Sequence, residues 1–408
     1  MMVDERNTDG FFIRNKSVFV MGLISLIIAA IADLVAGLFL KSMEEYIILI
    51  PGMMIMIYSA IGMRGNIFGA MGSRLGTSMH MGTFKMSFKK NSVLRSNIEA
   101  AVVLTLSLSA IMGVIGWAVI ELFFERTIEP LSFIFISLVG GILAGAIVIV
   151  FNIIIAREGY KRDWDVDNIT APLIAAAGDI ATVPMIYLAT WMVLNTDRIF
   201  IDITCILLLV LTVFITVALL KRKVKRKRKM DEAKRIVKQS MPVLTICIFF
   251  EIAAGMIVES GTSAVVKYGV LLVLLPAFLN EGNALSGMLT SRLSSMLHIG
   301  TMESRKYPNG PAYENFLIIY ILATVTFLFI GTAAYIVQPS GLGYGTLMAI
   351  VLIAGLLTTT VINFLSYYVA VSAVKFDLDP DDHCIPITSS IMDMVGTAIL
   401  VTIITMMI

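Results

Sequence analysis

Residues 17–40 read SVFVMGLISLIIAAIADLVAGLFL, and this run decides the class of fold. Asp33 is its only charged residue. A helix of about 20 apolar residues is long enough to cross the roughly 30 Å hydrocarbon layer of a membrane. The run is longer than the apolar part of a signal peptide, lacks a small-residue cleavage site and is soon followed by another apolar run. We therefore interpret it as a membrane span that the protein retains.

The rest of the chain repeats this pattern. Of its 408 residues 58% are hydrophobic and 15% are charged, and the mean hydropathy is +0.90. Soluble domains are about 45–50% apolar and about 25% charged. The excess falls in separate runs of spanning length, which predicts an all-α polytopic membrane protein with about eleven transmembrane helices. The predicted spans are 17–40, 45–82, 97–122, 130–155, 168–195, 199–220, 241–259, 264–299, 313–337, 342–373 and 384–408, of which the second and eighth are long and interrupted.

Lysine and arginine are distributed unequally between the two sides of these spans. One set of connections carries most of them, including the run KRKVKRKRK at 221–229, whereas the other set carries only Lys41, Arg126, Arg198 and Lys267. Because cytoplasmic loops are enriched in basic residues, we expect a multi-pass protein of the cell membrane with a cytoplasmic N-terminus and an outside C-terminus. The basic run is typical of a topology anchor against anionic lipid. It could also bind nucleic acid, but no nucleic-acid-binding module accompanies it, so we expect no such partner.

The chain contains an internal duplication, which emerges when its halves are compared at an offset of about 214–218 residues. The segment ADLVAG at 32–37 matches FEIAAG at 250–255, and RGNIFGAMGSRLGTSMHMGT at 64–83 matches EGNALSGMLTSRLSSMLHIGT at 281–301. Further on, DWDVDNITAPLIAAAGD at 163–179 matches DLDPDDHCIPITSSIMD at 377–393. The matched polar pairs are Asp33 and Glu251, Asn66 and Asn283, Arg74 and Arg292, His80 and His298, Asp165 and Asp379, and Asp179 and Asp393.

The duplication predicts how the molecule is organised. Each copy has five spans, and an extra sixth span returns the chain to the cytoplasm, so both copies begin on the same side. Parallel repeats of this kind are related by a pseudo-two-fold axis along the membrane normal. We predict a first repeat at 1–195, a linker helix with a basic cytoplasmic loop at 196–240, and a second repeat at 241–408. The chain would then be a monomer with an internal pseudo-dimer, or a dimer of that unit.

Two matched aspartates lie inside predicted spans. A charged aspartate at the bilayer centre costs at least about 2.5–3.5 kcal/mol, so Asp179 and Asp393 are expected to face a protein interior or a water-filled cavity. Because proline is favoured in the first turn of a helix, Pro172 and Pro386 predict helix starts near the cytoplasmic face. Each aspartate follows its proline by seven residues, which places it on nearly the same face and about 10 Å deeper. The two carboxylates repel each other unless they share a proton or hold a cation, although each could also be a buried packing residue.

An oxygen-only set of ligands indicates a hard divalent cation. Mg²⁺ keeps several of its waters and needs only one or two carboxylates. No cluster of cysteine and histidine in the sequence competes for a softer metal. We predict Asp179 and Asp393 as central ligands, and we place the acids before the prolines, Asp165 and Asp379, at the cytoplasmic mouth.

Four more polar residues within the spans extend this prediction. Asn66 and Asn283 each follow a glycine, and a local helix break there could present oxygens to the ion, although both sites could also be packing kinks. Asp33 and Glu251 could form a coupling-ion or proton site, or could pair with the matched arginines.

These motifs resemble a known family. The Gly-Asn element followed by Ser-Arg-Leu, and the segment DPDDHCIP at 379–386 with an aspartate seven residues after its proline, are similar to those of the MgtE magnesium channels and their solute-carrier relatives. The resemblance covers both repeats. It implies a five-span unit used twice around a central ion pathway, with Asp179 and Asp393 in the position of the pore aspartate that holds hydrated magnesium. The long cytoplasmic regulatory domains of MgtE have no match here, so its magnesium-sensing gate cannot simply be carried over to this chain.

The predicted function is transport of a divalent cation, with Mg²⁺ as the expected ion, and no enzyme activity. One alternative is a sodium- or proton-coupled cation exchanger. Another is an intramembrane aspartyl protease, in which two carboxylates share a proton. The Gly-x-Gly-Asp element of such proteases is missing, because the chain reads AAGD at 176–179.

Overall fold

A computed structural model describes residues 15–90, 92–124, 128–162, 166–222, 231–339, 341–376 and 385–408. Within these ranges the chain forms thirteen helices and no strand. Eleven of them have at least 23 residues, which confirms the predicted number of long helices. The helices are α1 (Lys16–Ser42), α2 (Glu44–Leu49), α3 (Met53–His80), α4 (Val93–Phe123), α5 (Pro130–Arg162), α6 (Val166–Asn195), α7 (Arg198–Leu220), α8 (Glu232–Ser260), α9 (Thr262–Lys267), α10 (Gly269–Ile299), α11 (Gly310–Val337), α12 (Tyr344–Phe376) and α13 (Ile385–Met407).

The long helices differ in how they meet the membrane. Ten of those in the described ranges are long and apolar enough to cross it. The eleventh, α3, has 28 residues but is more polar, since it carries Arg64, Asn66 and Arg74. Arg64 is only 1% exposed and Asn66 only 5%, so the other helices shield them from lipid. The protein is therefore a multi-pass membrane protein with one polar helix inside an apolar shell.

Helices α10 and α7 mark the centre and the periphery of this bundle. Residues 270–275 of α10 are completely buried. In contrast, α7 packs on α4 and α5 along one side, and large apolar side chains such as Phe214 are exposed on the other. An apolar helix surface of this kind faces lipid tails in a membrane.

The first helix of each repeat packs against the other repeat. Helix α1 contacts α10 and α11, and α8 contacts α3 and α4. Each of these two helices also contacts the last helix of its own repeat, α6 or α13. The two repeats therefore interlock, because each first helix packs both on its own repeat and on the other.

Matched glycines allow these crossings to be close. A Cβ atom added at Gly37 of α1 would overlap the carbonyl group of Val273 in α10, and one added at Gly255 of α8 would lie 2.6 Å from the Cα of Ile55 in α3. Small residues let the backbones of membrane helices approach closely. Gly37 and Gly255, the last residues of the ADLVAG and FEIAAG segments, thus fix where the repeats meet.

The predicted interruptions of the second and eighth spans occur, but not at the Gly-Asn elements. The chain turns at Gly52, which has a φ of +75°, between α2 and α3, and at Tyr268 between α9 and α10. Helices α3 and α10 then continue unbroken through Asn66 and Asn283, so the helix break expected there is wrong. No break is needed because both asparagines form their contacts through side-chain amides.

One of the two predicted helix starts is also wrong. Helix α6 already includes Val166, so Pro172 lies inside the helix, whereas the residues before α13 that would test the start at Pro386 lie outside the described ranges. Interior proline is tolerated in membrane helices because neighbouring groups satisfy the freed backbone carbonyl.

Candidate cation site

Because α1 packs against α10 and α11 of the second repeat, its Asp33 lies beside that repeat. The side chain is 1% exposed, and Asn280 Nδ2 of α10 donates to its Oδ2 at 2.7 Å. Its carboxyl group is also within hydrogen-bonding reach of Asp179 in α6. One acid pair is thus assembled from α1 and α6 and held by an amide of α10.

Glu251 of α8 makes the corresponding contacts with the first repeat. Its Oε1 accepts from Asn66 Nδ2 of α3 at 3.2 Å and from Ser390 Oγ of α13 at 2.7 Å. Asn66 Nδ2 also donates to Ser390 Oγ at 2.8 Å. The absence of a side chain at Gly62 makes room, because a Cβ there would overlap the Glu251 carboxylate. The hydrogen-bonded triangle holds this carboxylate at the interface between the repeats.

Asp393 of α13 completes the second acid pair. Asn283 Nδ2 of α10 donates to its Oδ1 at 2.8 Å, and its carboxyl group is within reach of Glu251. Asp179 and Asp393 are close enough for their charges to interact. The structure therefore places four buried acids, two from each repeat, in one region where the repeats face each other.

Several oxygens of this group accept no hydrogen bond. They are Asp33 Oδ1, Asp179 Oδ2, Asn283 Oδ1 and Asp393 Oδ2, all buried. Two ionised carboxylates that face each other have no proton to donate, and an unsatisfied buried charge is costly, so each pair must share a proton or hold a cation. A cation, or the water molecules around it, would satisfy these oxygens.

The donor set suits a hydrated ion better than a bare one. Among the described residues, no three His, Cys, Asp or Glu side chains converge into a group that could hold a metal directly. Mg²⁺ dehydrates reluctantly and is commonly bound through one or two carboxylates plus its own waters. The paired acids fit that mode of binding.

Six of the eight sequence-predicted site residues belong to this region. They are Asp33, Asn66, Asp179, Glu251, Asn283 and Asp393. The other two, Asp165 and Asp379, which were predicted to lie at the cytoplasmic mouth, fall outside the described residues. The grouping brings the predicted residues together, while their role as ligands stays a prediction.

The matched arginines serve another purpose. Arg74 Nε donates to Asn97 Oδ1 and Arg292 Nε donates to Asn315 Oδ1, both at 2.9 Å. Each bond joins the second long helix of a repeat to its third. The salt bridge to Asp33 or Glu251 that the sequence left open is wrong, because those acids contact the groups described above.

Sequence reasoning missed three polar contributors. Asn280 lies three residues before Asn283, and Ser390 lies three residues before Asp393, so each shares a helix face with a predicted residue. Glu281 is a 2% exposed acid on α10 that interacts electrostatically with Asp33. The sequence shows the spacing of three residues in both cases. It does not show which neighbouring helix these faces of α10 and α13 contact.

Comparison with known proteins identifies the family to which the chain belongs. A family model described as "MgtE: Divalent cation transporter" matches the chain twice, at residues 57–190 and 275–403. Solute carrier family 41 member 3 of Rattus norvegicus is 21% identical over 92% of this chain and 84% of its own length. Solute carrier family 41 member 2 of Mus musculus is 23% identical over 88% of this chain and 64% of its own length. No solved structure matches.

Each family match contains one Gly-Asn element and the aspartate that follows the proline by seven residues. Together the two matches span most of the chain. One acid of each buried pair, Asp179 or Asp393, lies in each matched segment, and the chain belongs to the MgtE family of divalent cation transporters.

Proposed function

We propose that the protein carries Mg²⁺ along a pathway between its two repeats, with Asp179 and Asp393 as the central ligands. The observation that carries this proposal is the group of unsatisfied buried oxygens on four matched polar residues. These oxygens accept hydrogen bonds, and the waters of a hydrated cation donate them. The charge of the ion would offset the repulsion between the carboxylates.

The supporting residues have distinct roles in this proposal. Asn66 and Asn283 orient the acids through their amide hydrogens, which leaves Asn283 Oδ1 free to accept from a water of the ion. Asp33 and Glu251 add negative charge beside the central ligands and tie each repeat to the other. Asp165 and Asp379 would concentrate the ion at the cytoplasmic mouth.

The proposed organisation follows the duplication. The first repeat covers 1–195, the linker 196–240 and the second repeat 241–408, with the N-terminus cytoplasmic and the C-terminus outside. Because the interlocked repeats supply both halves of the site, one chain is sufficient for a pathway. The boundary at the linker is supported by α7, whose outer face meets lipid rather than either repeat.

Coupled exchange is a second candidate, favoured by one observation. Each central ligand lies beside a second acid, Asp33 or Glu251, so the ion could be exchanged for sodium ions or protons at the same pairs. Mg²⁺ uptake into proteoliposomes with and without an opposing sodium or proton gradient separates coupled exchange from a channel. Uptake that follows the Mg²⁺ gradient alone would eliminate coupling.

Transport by the purified protein tests the main proposal. Proteoliposomes that contain a fluorescent Mg²⁺ indicator should fill when Mg²⁺ is added outside, and the double variant Asp179→Ala, Asp393→Ala should abolish the signal. Asp202→Asn is the control, since Asp202 lies on the peripheral helix α7, which carries none of the four acids, and forms an ion pair with Arg198. Flux that survives in the double variant would refute the assignment of ligands. Thermal stabilisation by Mg²⁺, Ca²⁺, Mn²⁺ and Na⁺ in parallel samples would rank the ions.

A further inference from the structure

A fifth buried acid distinguishes the two halves of the site. Glu281 lies on α10 next to the Gly-Asn element, and the duplication pairs it with Arg64 on α3. Glu281 is 2% exposed and Arg64 is 1% exposed. Equivalent positions in the membrane interior therefore carry opposite charges.

Arg64 is directed into its own repeat. Its Nη1 donates to the carbonyl oxygen of Ala60 at 2.8 Å, and its guanidinium lies against Gly141 of α5 and near Ser109 of α4. Among the described residues it forms no ion pair, and its Nε and Nη2 have no hydrogen-bond partner. This charge lies apart from the acid pairs.

Glu281 is directed toward the acids. Its carboxylate is within hydrogen-bonding reach of Thr326 of α11, its charge interacts with that of Asp33, and its Oε1 has no partner. On this side of the site three carboxylate oxygens are therefore unsatisfied, those of Asp33, Asp179 and Glu281. On the other side one buried carboxylate oxygen is unsatisfied, Asp393 Oδ2, because Asn66 and Ser390 already donate to Glu251.

We propose that Glu281 is a third carboxylate of the cation site, and that the ion lies off the pseudo-two-fold axis, nearer to Asp33 and Asp179 than to Glu251 and Asp393. The proposal rests on the proposed function, since it concerns the same ion. The ligand is a hydrated divalent cation, whose waters donate to the three free oxygens. The greater negative charge on this side draws the ion toward it, because attraction between charges is strong where water is scarce.

Binding of Mg²⁺ to the purified, detergent-solubilised protein, measured by calorimetry, tests this asymmetry. Glu281→Gln keeps the size of the side chain and removes its charge, and it should raise the Kd for Mg²⁺ at least tenfold. Asp179→Asn should raise the Kd at least threefold more than Asp393→Asn does. Glu281→Asp retains the charge and should stay closer to the wild-type value than Glu281→Gln.

Arg64→Met is the matched control, since it neutralises the equivalent buried charge away from the acids. Because Arg64 forms no ion pair among the described residues, neutralising it leaves no partner charge uncompensated, and the Kd should stay within twofold of wild type. A wild-type Kd in Glu281→Gln, or equal effects of Asp179→Asn and Asp393→Asn, would overturn the asymmetric site while leaving the proposed function intact. A wild-type protein that neither binds nor transports Mg²⁺ would instead refute the proposed function.

A second measurement does not depend on any variant folding. Anomalous diffraction from crystals soaked in Mn²⁺ should show a peak closer to the Asp179 carboxylate than to that of Asp393. A peak equidistant from the two, or nearer to Asp393, would contradict the proposal.

Discussion

Substitution of Gly255 by alanine tests whether the crossing of α8 and α3 positions the acid pair. A Cβ at this position would lie 2.6 Å from the Cα of Ile55, and ordinary contacts begin near 3.4 Å. The obstructing atoms belong to the backbone, so no side chain can rotate to relieve the overlap. Helix α8 must therefore move away from α3 by about 0.8 Å, because interiors are close-packed.

The movement reaches Glu251, which lies one helical turn before Gly255 on the same face of α8. The bond from Asn66 Nδ2 to Glu251 Oε1 is already 3.2 Å long. A further 0.8 Å would lengthen it to about 4.0 Å, beyond hydrogen-bonding distance. Leaving a buried polar group without its partner costs about 1–3 kcal/mol, in addition to the cost of the overlap.

Gly69→Ala supplies the control, since Gly69 lies on α3, the other helix of this crossing, and an added Cβ there meets nothing within 4 Å. An alanine in a helix interior is favoured over glycine by about 0.5–1 kcal/mol, so the control should be at least as stable as wild type. Gly255→Ala should unfold at a lower temperature and should transport Mg²⁺ more slowly into proteoliposomes. Equal melting temperatures and equal flux for the two variants would refute the argument that this crossing positions Glu251.

Three other substitutions address separate contacts. The Glu259 carboxylate accepts hydrogen bonds from the backbone N–H groups of Gly52 and Met54, at 2.9 and 3.1 Å, at the start of α3. Glu259→Gln removes the negative charge of this cap, so thermal unfolding should show a loss of stability of about 0.3–1 kcal/mol. An unchanged unfolding temperature would mean that the charge of the cap is dispensable. Arg292→Lys removes the Nε donor to Asn315, which should cost about 1 kcal/mol in denaturant unfolding, whereas wild-type stability would show that this link between α10 and α11 is redundant. Ser390→Ala removes the shorter of the two hydrogen bonds to Glu251. The variant should melt at a lower temperature, by an amount equivalent to a loss of about 1–2 kcal/mol. An unchanged melting curve would contradict this expectation.

The sequence predicted which polar residues come together better than it predicted the backbone around them. Asp179, Asp393 and Asn283 were found because the duplication places polar residues at matched positions inside apolar helices. The start of α6 and the helix break at the Gly-Asn elements were predicted from proline and glycine preferences. Those preferences amount to roughly 1–3 kcal/mol per residue, and the packing of neighbouring helices in a membrane overrides them.

The sequence by itself determined that this protein is a bundle of membrane helices built from a duplicated unit with matched internal acids. Long apolar runs must leave water, and a copied segment carries its polar residues with it. Only the tertiary structure decided that α1 and α8 each pack against the opposite repeat. It also decided that Glu281 approaches Asp33 while Arg64 is directed into its own repeat. Such choices depend on which helix faces meet across more than two hundred residues of chain, and local sequence patterns carry no information about that pairing.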